Sequence, residues 1–244
     1  MAAYILSDTN IYVGGDNVTT FTGSFSTEMM TTMVDGPVLG GGGFMRRYPG
    51  LKASSTQISG FADYDADAIA RDFGPAQLGS QQLVTVVPAG VGVAGDVALF
   101  GRQLIQNIAV PGGAVGDMAS FEMSLESDSA WINGLVAAPM AARTTTANGT
   151  ILTMTGPTAA QRVYVGVNLI AASGTTPSMT VALQSATLIG FGSPTTRATL
   201  TAMTAVGWQF ASVAGSITDG FWRATFTITG TTPSLTAAVV VGVA

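Results

Sequence analysis

Alternating apolar and polar residues dominate the second half of the chain and predict β-strands there. Every second residue is apolar from 163 to 169, and the pattern returns at 222–228, which is the period of a strand with one buried face. The pentapeptide GTTPS follows both runs, at 174–178 and at 230–234. Because Gly and Pro favour turns, each copy predicts a hairpin turn. The pattern predicts an all-β sandwich, Ig-like or jelly-roll-like, for residues 150–244.

The first half of the chain combines strand patterns with one helix. The helix is predicted over 63–74, where apolar residues recur at a spacing of three to four, acidic residues come early and Gly74 follows as a stop signal. A Gly-rich stretch at 35–52 has neither a helix nor a strand period, so we interpret it as a loop. The alternating stretches that predict strands are 17–34, 55–61, 81–90, 96–110 and 116–128. The fold class is therefore mainly β.

Charge is distributed unevenly and suggests two domains. Residues 1–130 carry 13 acidic and 5 basic side chains, whereas residues 131–244 carry 1 acidic and 4 basic ones. The change of sign predicts a domain boundary, and the Ala-, Thr-, Pro- and Gly-rich segment 133–149 is its candidate position. The predicted domains are 1–140 and 150–244. A chain truncated after Ala142 is then expected to keep its assembly surface.

The scarcity of charge favours burial of the surface against other proteins. Only 9% of the residues are charged and the mean hydropathy is +0.44, whereas about a quarter of residues are charged in ordinary soluble domains. No uninterrupted apolar run approaches the roughly 18 residues of a membrane-spanning helix, so no membrane insertion is expected. Interfaces between proteins are depleted in Lys, Glu and Asp at their centres, which fits the composition.

No group of residues predicts an enzymatic, cofactor or metal site. The chain has no Cys and no His, which removes thiolate metal sites, Cys nucleophiles and the usual proton carrier. The glycine run 40–43 lacks the Lys-Ser/Thr pair of a phosphate-binding loop. The alternating Asp residues of 63–67 resemble a calcium loop, but Ala68 and Gly74 stand where that loop needs Gly and Glu. We expect no enzyme and no cofactor.

Several stretches resemble the tail tube, or major tail, proteins of bacteriophages with long, flexible, non-contractile tails. The resemblance lies in RRYPGLKASSTQISGFADYD at 46–65 and in VALFGRQLIQNIAVPGGAVGDMASFEMSLES at 97–127. The stretches 173–204 and 217–244 resemble a β-sandwich appended to many such proteins. The sequence departs from the family pattern in ATLIGF, which follows LQS, and in its long Gly run.

The resemblance implies a structural virion protein. Such proteins form six-membered rings whose inner strands close into a β-barrel, and the rings stack into a tube through which DNA reaches the host. It implies that residues 1–140 form the ring and the inner barrel, with 150–244 outside. The implied partners are other copies of the chain, a tape-measure protein and transiting DNA in the lumen, and tail terminator and baseplate proteins at the ends. The implied location is the virion tail, assembled in the host cytoplasm.

Two sets of residues are hypothesised to serve the assembly. A mobile loop between rings is expected to order on stacking, with its two Arg residues meeting acidic groups of a neighbour, so deletion of 39–43 is expected to stop tube growth. Glu122 and Glu126 alternate on a strand and are expected to face the lumen, whereas the Asp cluster of 63–72 is not. The stacking-loop residues are Leu39, Gly40, Gly41, Gly42, Gly43, Arg46 and Arg47.

Two other functions are compatible with the same composition. A capsid decoration or other head-surface protein is also β-rich and poor in charge. A carbohydrate-binding β-sandwich is the weaker alternative, with Trp208 or Trp222 as stacking platforms for sugars. For both tryptophans, burial in the core of the sandwich is the preferred interpretation.

Overall fold

The computed structural model describes residues 9–36, 46–62, 72–88, 92–112, 114 and 116–244. Antiparallel strands make up most of this part of the chain, which confirms the mainly β fold class. The first seven strands are β1 Asn10–Val13, β2 Asp16–Asn17, β3 Thr22–Gly36, β4 Arg46–Phe61, β5 Gln81–Val87, β6 Val97–Gly112 and β7 Ser120–Ser127. The others are β8 Ile132–Arg143, β9 Ala147–Asn148, β10 Leu152–Thr153, β11 Arg162–Ala186, β12 Thr195–Thr199, β13 Gly207–Ala214 and β14 Phe221–Val243.

The chain divides into two compact units, and the division differs from the predicted one. Unit 1 comprises Met1–Thr20, Gln82–Arg102 and Ile132–Ala244, and unit 2 comprises Phe21–Gln81 and Gln103–Trp131. The predicted boundary segment 133–149 is thus no linker. Most of it is strand β8, which pairs with β14 on one side and with the start of β6 on the other. Its Ala- and Pro-rich composition reflects close strand packing: Ala137 and Ala138 are buried.

Unit 1 is organised around a long two-stranded ribbon of β11 and β14. The two strands pair antiparallel from Val163 opposite Val243 to Ala186 opposite Phe221. The first half of β11 also pairs with β13, and its second half pairs with β12. Strand β14 in turn pairs with β8, β9 and β10, so the ribbon is central to the unit.

The ribbon folds back on itself. A 25-residue strand such as β11 would span about 80 Å if it were straight. Its two ends are nevertheless close. Gln161, just before β11, accepts a hydrogen bond from Gly215 N, and Ala186 at the other end of β11 pairs with Phe221. The six residues from 215 to 221 span about 20 Å at most, so the two ends cannot be far apart. The two halves therefore pack face to face, and side chains from both halves share one buried cluster.

The fold-back occurs at the repeated GTTPS pentapeptide. The two copies are not separate hairpin turns, as the sequence pattern predicts; they lie opposite each other in the middle of continuous strands, with register shifts between the flanking pairs. Gly174 and Gly230 have φ values of 110° and 121°. A Cβ on Gly174 would stand 2.6 Å from Thr232 O, and one on Gly230 would stand 2.8 Å from Thr176 O. The same sequence occurs twice because each copy forms one strand of the same two-stranded corner.

The core of unit 1 confirms the predicted apolar faces. The alternating residues at 163–169 and at 222–226 are buried, and Trp222 is fully inaccessible with its indole Nε1 donating to Met154 O at 3.0 Å. Asn168 points to the opposite face of β11 and is also buried. Its amide donates to Gly14 O at 2.7 Å and accepts from Thr85 Oγ1 at 2.8 Å. These bonds satisfy the polar group within the apolar interior.

Unit 2 contains a four-stranded sheet in the order β3-β4-β7-β6. Its strands pair antiparallel, β3 with β4, β4 with β7 and β7 with the second part of β6. One face of this sheet carries the buried side chains Ile58, Phe121, Met123 and Leu125, with Phe73 beside Phe121 at a centroid distance of 6.4 Å. The predicted helix of 63–74 lies mostly outside the described residues. The short 3-10 helix Pro75–Gln77 follows it.

A charged network ties β11 to β12 and to the segment before β14, and we expect acid to weaken it. Arg197 Nη2 donates to Asp219 Oδ2 at 2.8 Å, and Ser185 Oγ donates to the same oxygen at 2.5 Å. Hydrogen bonds from Ser185 and Arg197 lower the pKa of the Asp219 carboxyl. The carboxylate therefore stabilises the fold above its unfolded pKa of about 3.9, and this contribution is lost as pH falls through the lower folded value.

The corresponding measurement is urea unfolding of wild type and Asp219→Asn between pH 3 and 7. We expect the substitution to cost about 2 kcal/mol at pH 7, because it removes the charge from two buried hydrogen bonds. The difference should shrink toward pH 3. A difference that does not change with pH would contradict a stabilising role of the ionised carboxylate.

Candidate functional site: a polar sheet face and an apolar arm

One face of the unit 2 sheet is a continuous polar surface, which we call the polar face. The register of the four strands arranges its residues in three rows across the sheet. Successive side chains of a strand alternate between faces, so each row belongs to the face opposite the buried side chains. The rows are Ser24, Ser59, Glu122 and Ala109; Ser26, Gln57, Ser124 and Asn107; and Glu28, Ser55, Glu126 and Leu104.

The polar face carries negative charge and no positive charge. Its ionisable residues are Glu28, Glu122 and Glu126, and its remaining polar positions are hydroxyls and amides. The basic residue next to it along β4, Lys52, pairs with Thr31, and this pair lies on the other side of the ribbon by strand alternation. The three rows therefore carry three carboxylates and no Lys or Arg. Arg102, two positions before Leu104 on β6, lies over the Phe210 ring at 5.5 Å from its centroid.

The side chains of the polar face are small and partly bonded to one another. Ser24 Oγ and Ser59 Oγ are 2.7 Å apart, and Ser124 Oγ donates to Gln106 Oε1 at 3.4 Å. Around Glu122 the rows enclose a shallow groove of about 270 Å³. Such a surface offers acceptors and hydroxyls to water but no cation for a phosphate.

The outer parts of β3 and β4 extend the hairpin beyond the rows as an arm, defined here as residues 29–36 and 46–53. Within the arm the strands pair from Met30 opposite Ala53 to Gly36 opposite Arg46. Met29 and Met30 are adjacent in β3 and are 66% and 49% exposed. Since adjacent residues point to opposite faces, both faces of the arm are open to solvent.

The arm combines large exposed apolar side chains with the charged residues Asp35, Arg46, Arg47 and Lys52. The large exposed apolar side chains of unit 2 concentrate there, and Leu51 at 84% is the most exposed of them. A two-stranded ribbon with no packed face has marginal stability in water. In the single chain the large apolar side chains of the arm therefore remain in contact with water. Its large apolar residues are Met29, Met30, Met33, Val34, Tyr48 and Leu51.

The predicted stacking loop is shorter than the Gly-rich stretch suggests. Residues 34–36 and 46–52 belong to β3 and β4, since β-pairing extends into the stretch that was interpreted as loop. Leu39, Gly40, Gly41, Gly42 and Gly43 lie outside the described residues, and so does the side chain of Arg46. Arg47 Nε contacts Asp35 Oδ1 of its own chain at 3.1 Å across the hairpin. Both groups are exposed, so the pair contributes little to stability.

The two predicted lumen residues lie on one surface. Glu122 and Glu126 share the polar face. Of the Asp cluster, Asp63, Asp65 and Asp67 lie outside the described residues, and Asp72 is described and half-buried. Sequence analysis missed Glu28 and the Ser rows. The signal is present in the sequence as period-two polar residues in SFSTE at 24–28 and in STQIS at 55–59.

The alternative sites find less support in the structure. Trp222 is fully buried and offers no surface to a sugar. Trp208 is partly buried against the cluster that contains Phe100. In the described part of the chain, no group of three or more acidic side chains is placed to hold a metal ion. No helix among the same residues is long and apolar enough to cross a membrane.

Comparison with known proteins gives structural similarities of low sequence identity. No protein-family model and no curated protein matches the chain. A chain from the tail of an empty gene transfer agent particle, refined with C6 helical symmetry, is 20% identical with a TM-score of 0.41; the match covers 53% of this chain and 97% of that one. A chain from the virion of a native gene transfer agent particle is 20% identical with a TM-score of 0.41 over 54% and 98% of the two chains.

The Dit protein of phage SPP1, described as a hub adsorption apparatus of phages that infect Gram-positive bacteria, is also similar. It is 12% identical with a TM-score of 0.37, and the match covers 97% of this chain and 99% of that one. Similarities at this level do not assign a function to this chain.

Proposed function

We propose that this protein is a structural component of a bacteriophage tail, in which six copies form a ring and the rings stack into a tube that conducts DNA. The observation that carries the proposal is the polar face of unit 2. It combines three carboxylates with hydroxyls and amides and has no Lys or Arg. The proposal includes a structural role without catalysis, location in the virion and assembly in the host cytoplasm.

The polar face suits the wall of a DNA conduit. Neutralisation of phosphates by Lys and Arg supplies nearly all non-specific affinity of proteins for DNA. A wall that offers carboxylates and hydroxyls repels phosphate and keeps the surface hydrated, so the duplex slides without adhering. Glu28, Glu122 and Glu126 provide this charge in every copy.

Ring closure accounts for the open edge of the same sheet. Among the described strands, β3 pairs with β4 alone, although it is 15 residues long. A long unpaired edge is a hazard for aggregation unless another strand covers it. In a closed barrel each edge pairs with the neighbouring copy, which removes the hazard and limits assembly to a ring.

The arm supplies the contact between rings in this proposal. Its apolar side chains are exposed on both faces, and burying them against the next ring removes that apolar area from water. A tape-measure protein inside the bore and tail terminator and baseplate proteins at its ends are the further partners that the proposal implies.

Glutamate substitutions in the arm are expected to prevent assembly without preventing folding. We expect Met33→Glu/Leu51→Glu to remain folded, because both side chains are exposed at 59% and 84%, and to form no tubes. Electron microscopy of the purified protein tests this directly. Met118→Glu serves as the matched control, because Met118 is an equally exposed methionine, at 70%, outside the arm.

The outcomes discriminate among functions. Wild-type tubes with a periodic rise, kept by the Met118 variant and lost in the arm variant, support the proposal. Isolated wild-type multimers that decorate purified heads would instead identify a capsid decoration protein. Tubes of normal length from the arm variant would remove the arm from the contact between rings.

A further inference from the structure

The arm exposes methionine sulfur to water. Met29, Met30 and Met33 are 66%, 49% and 59% exposed. Methionine is more often buried in folded proteins, and in the described part of the chain Met118, at 70%, is the other strongly exposed one. Methionines that are 6% exposed or less are Met123, Met179 and Met203. The accessible sulfur is therefore concentrated in residues 29–33.

The three methionines of the arm are open on both of its faces. Met29 and Met30 are adjacent in β3, so their side chains point to opposite faces. Across the ribbon Met30 stands opposite Ala53 and Met33 stands opposite Pro49, and neither of these compact residues is large enough to cover a methionine. A small oxidant in solution can therefore reach the sulfur atoms from either side of the arm.

Exposed thioethers react with peroxides. The chain has no Cys, so methionine is its only source of sulfur. A lone pair on Sδ attacks one oxygen of hydrogen peroxide, an S–O bond forms and the O–O bond breaks. The leaving hydroxide takes the proton of the transferred hydroxyl group and becomes water, so the sulfur loses two electrons and the peroxide gains them. The product, methionine sulfoxide, is polar where methionine is apolar.

We propose that Met29, Met30 and Met33 form an oxidation site at which a peroxide blocks the contact made by the arm. The inference rests on the proposed function, in which the arm is buried against the next ring. A sulfoxide in that contact brings a strongly polar oxygen into an apolar environment, which costs free energy unless a donor meets it. Burial also removes the sulfur atoms from solvent, so the site is open in free chains and closed in assembled ones.

Hydrogen peroxide is the probe, applied to the purified full-length chain and then removed, before tandem mass spectrometry locates the sulfoxides. We expect the three arm methionines to be oxidised roughly tenfold faster than the buried ones, because the peroxide must reach the sulfur. The oxidised chain should keep its circular dichroism spectrum, since its buried methionines remain intact. In electron microscopy it should form no tubes at a concentration at which the untreated chain assembles. In preformed tubes the arm methionines should react several-fold more slowly.

Two variants and a repair step assign the effect to the arm. Met29→Leu/Met30→Leu/Met33→Leu keeps apolar side chains of similar volume that have no sulfur, so it should form tubes before and after peroxide. Met118→Leu is the matched control, because it removes an equally exposed sulfur outside the arm, and it should still lose assembly after peroxide. Reduction of the oxidised wild type by the two methionine sulfoxide reductases, one for each epimer, should restore tubes.

The failures of this inference and of the proposed function are distinguishable. Untreated wild type that forms no tubes would overturn both. Tubes from the untreated chain and equally from the oxidised chain, with sulfoxides located at all three arm positions, would overturn the oxidation site alone. Equal loss of tubes in the peroxide-treated leucine variant, or no recovery of tubes after the arm sulfoxides are reduced, would also overturn it, because the damage would then lie at other residues.

Discussion

A chain that ends after Ala142 is expected to lose the fold of its unit 1 strands and to aggregate, in contrast to the modular behaviour that the charge pattern predicts. The truncation removes β11 and β14, and β8 then loses the strand that pairs with it from Gly134 to Arg143. Leu83, Phe100 and Val136 lose the apolar cover that Val240 and the aromatic residues of β11 and β13 provide. Burial of one such side chain is worth about 1.5–3 kcal/mol, so the losses approach the 5–15 kcal/mol of a whole domain.

Complementation provides the control for this truncation. Residues 1–142 and 143–244 are expressed separately and together, and folding is followed by circular dichroism and by co-purification. We expect the two pieces to fold together, because β8 and β14 still carry complementary edges and apolar faces. Residues 1–142 include all of unit 2, so the contradicting result is a soluble fragment in which the unit 1 strands β5 and β8 are protected from hydrogen exchange as they are in the full chain.

The domain boundary could not be deduced from the sequence because a sheet joins residues that are distant in the chain. Charge changes sign near residue 130 since only one carboxylate, Asp219, follows it. The packing follows a different order: the chain leaves unit 1 after Thr20 and again after Arg102, and it returns at Gln82 and at Ile132. The composition of a segment does not reveal which distant segment it pairs with. Alternation with a period of two is a property of a single strand, and it predicted most strands correctly.

The repeated pentapeptide shows how the same residues permit two structures. Gly and Pro predict that the chain turns, and the ribbon does turn at both copies of GTTPS. The sequence does not specify whether each strand turns back on itself or both strands bend together. The second arrangement occurs because 163–172 and 235–243 are long enough to pair with each other and extend the ribbon past the corner.

The candidate site was predictable where strand period alone decides which way a side chain points. Glu122 and Glu126 share a face for that reason, and Glu28 joins them through the register of β3 on β4. Register depends on hydrogen bonds between strands, which the sequence of one strand does not contain. The β4 side of the arm was interpreted as loop because Gly and Pro interrupt its apolar residues, as at Pro49 and Gly50.

Replacing Glu122 and Glu126 of β7 with lysine is expected to change a surface that repels DNA into one that binds it. In Glu122→Lys/Glu126→Lys the exposed carboxylate of Glu122 and the half-buried one of Glu126 are both replaced by cations on the polar face. If that face lines the bore, each phosphate that a Lys neutralises adds about −0.9 to the slope of log affinity against log salt. Tubes should still assemble, but DNA ejection should slow or stop, and higher salt should partly restore it.

Two controls separate local charge from net charge. Glu122→Gln/Glu126→Gln removes the carboxylates without adding a phosphate ligand, so we expect ejection close to normal. Thr144→Lys/Thr145→Lys changes the net charge as much as Glu122→Lys alone, but at exposed positions of unit 1. If this control retains DNA as strongly as Glu122→Lys does, or if density for the assembled tube places Glu122 and Glu126 away from the axis, the polar face does not line the conduit.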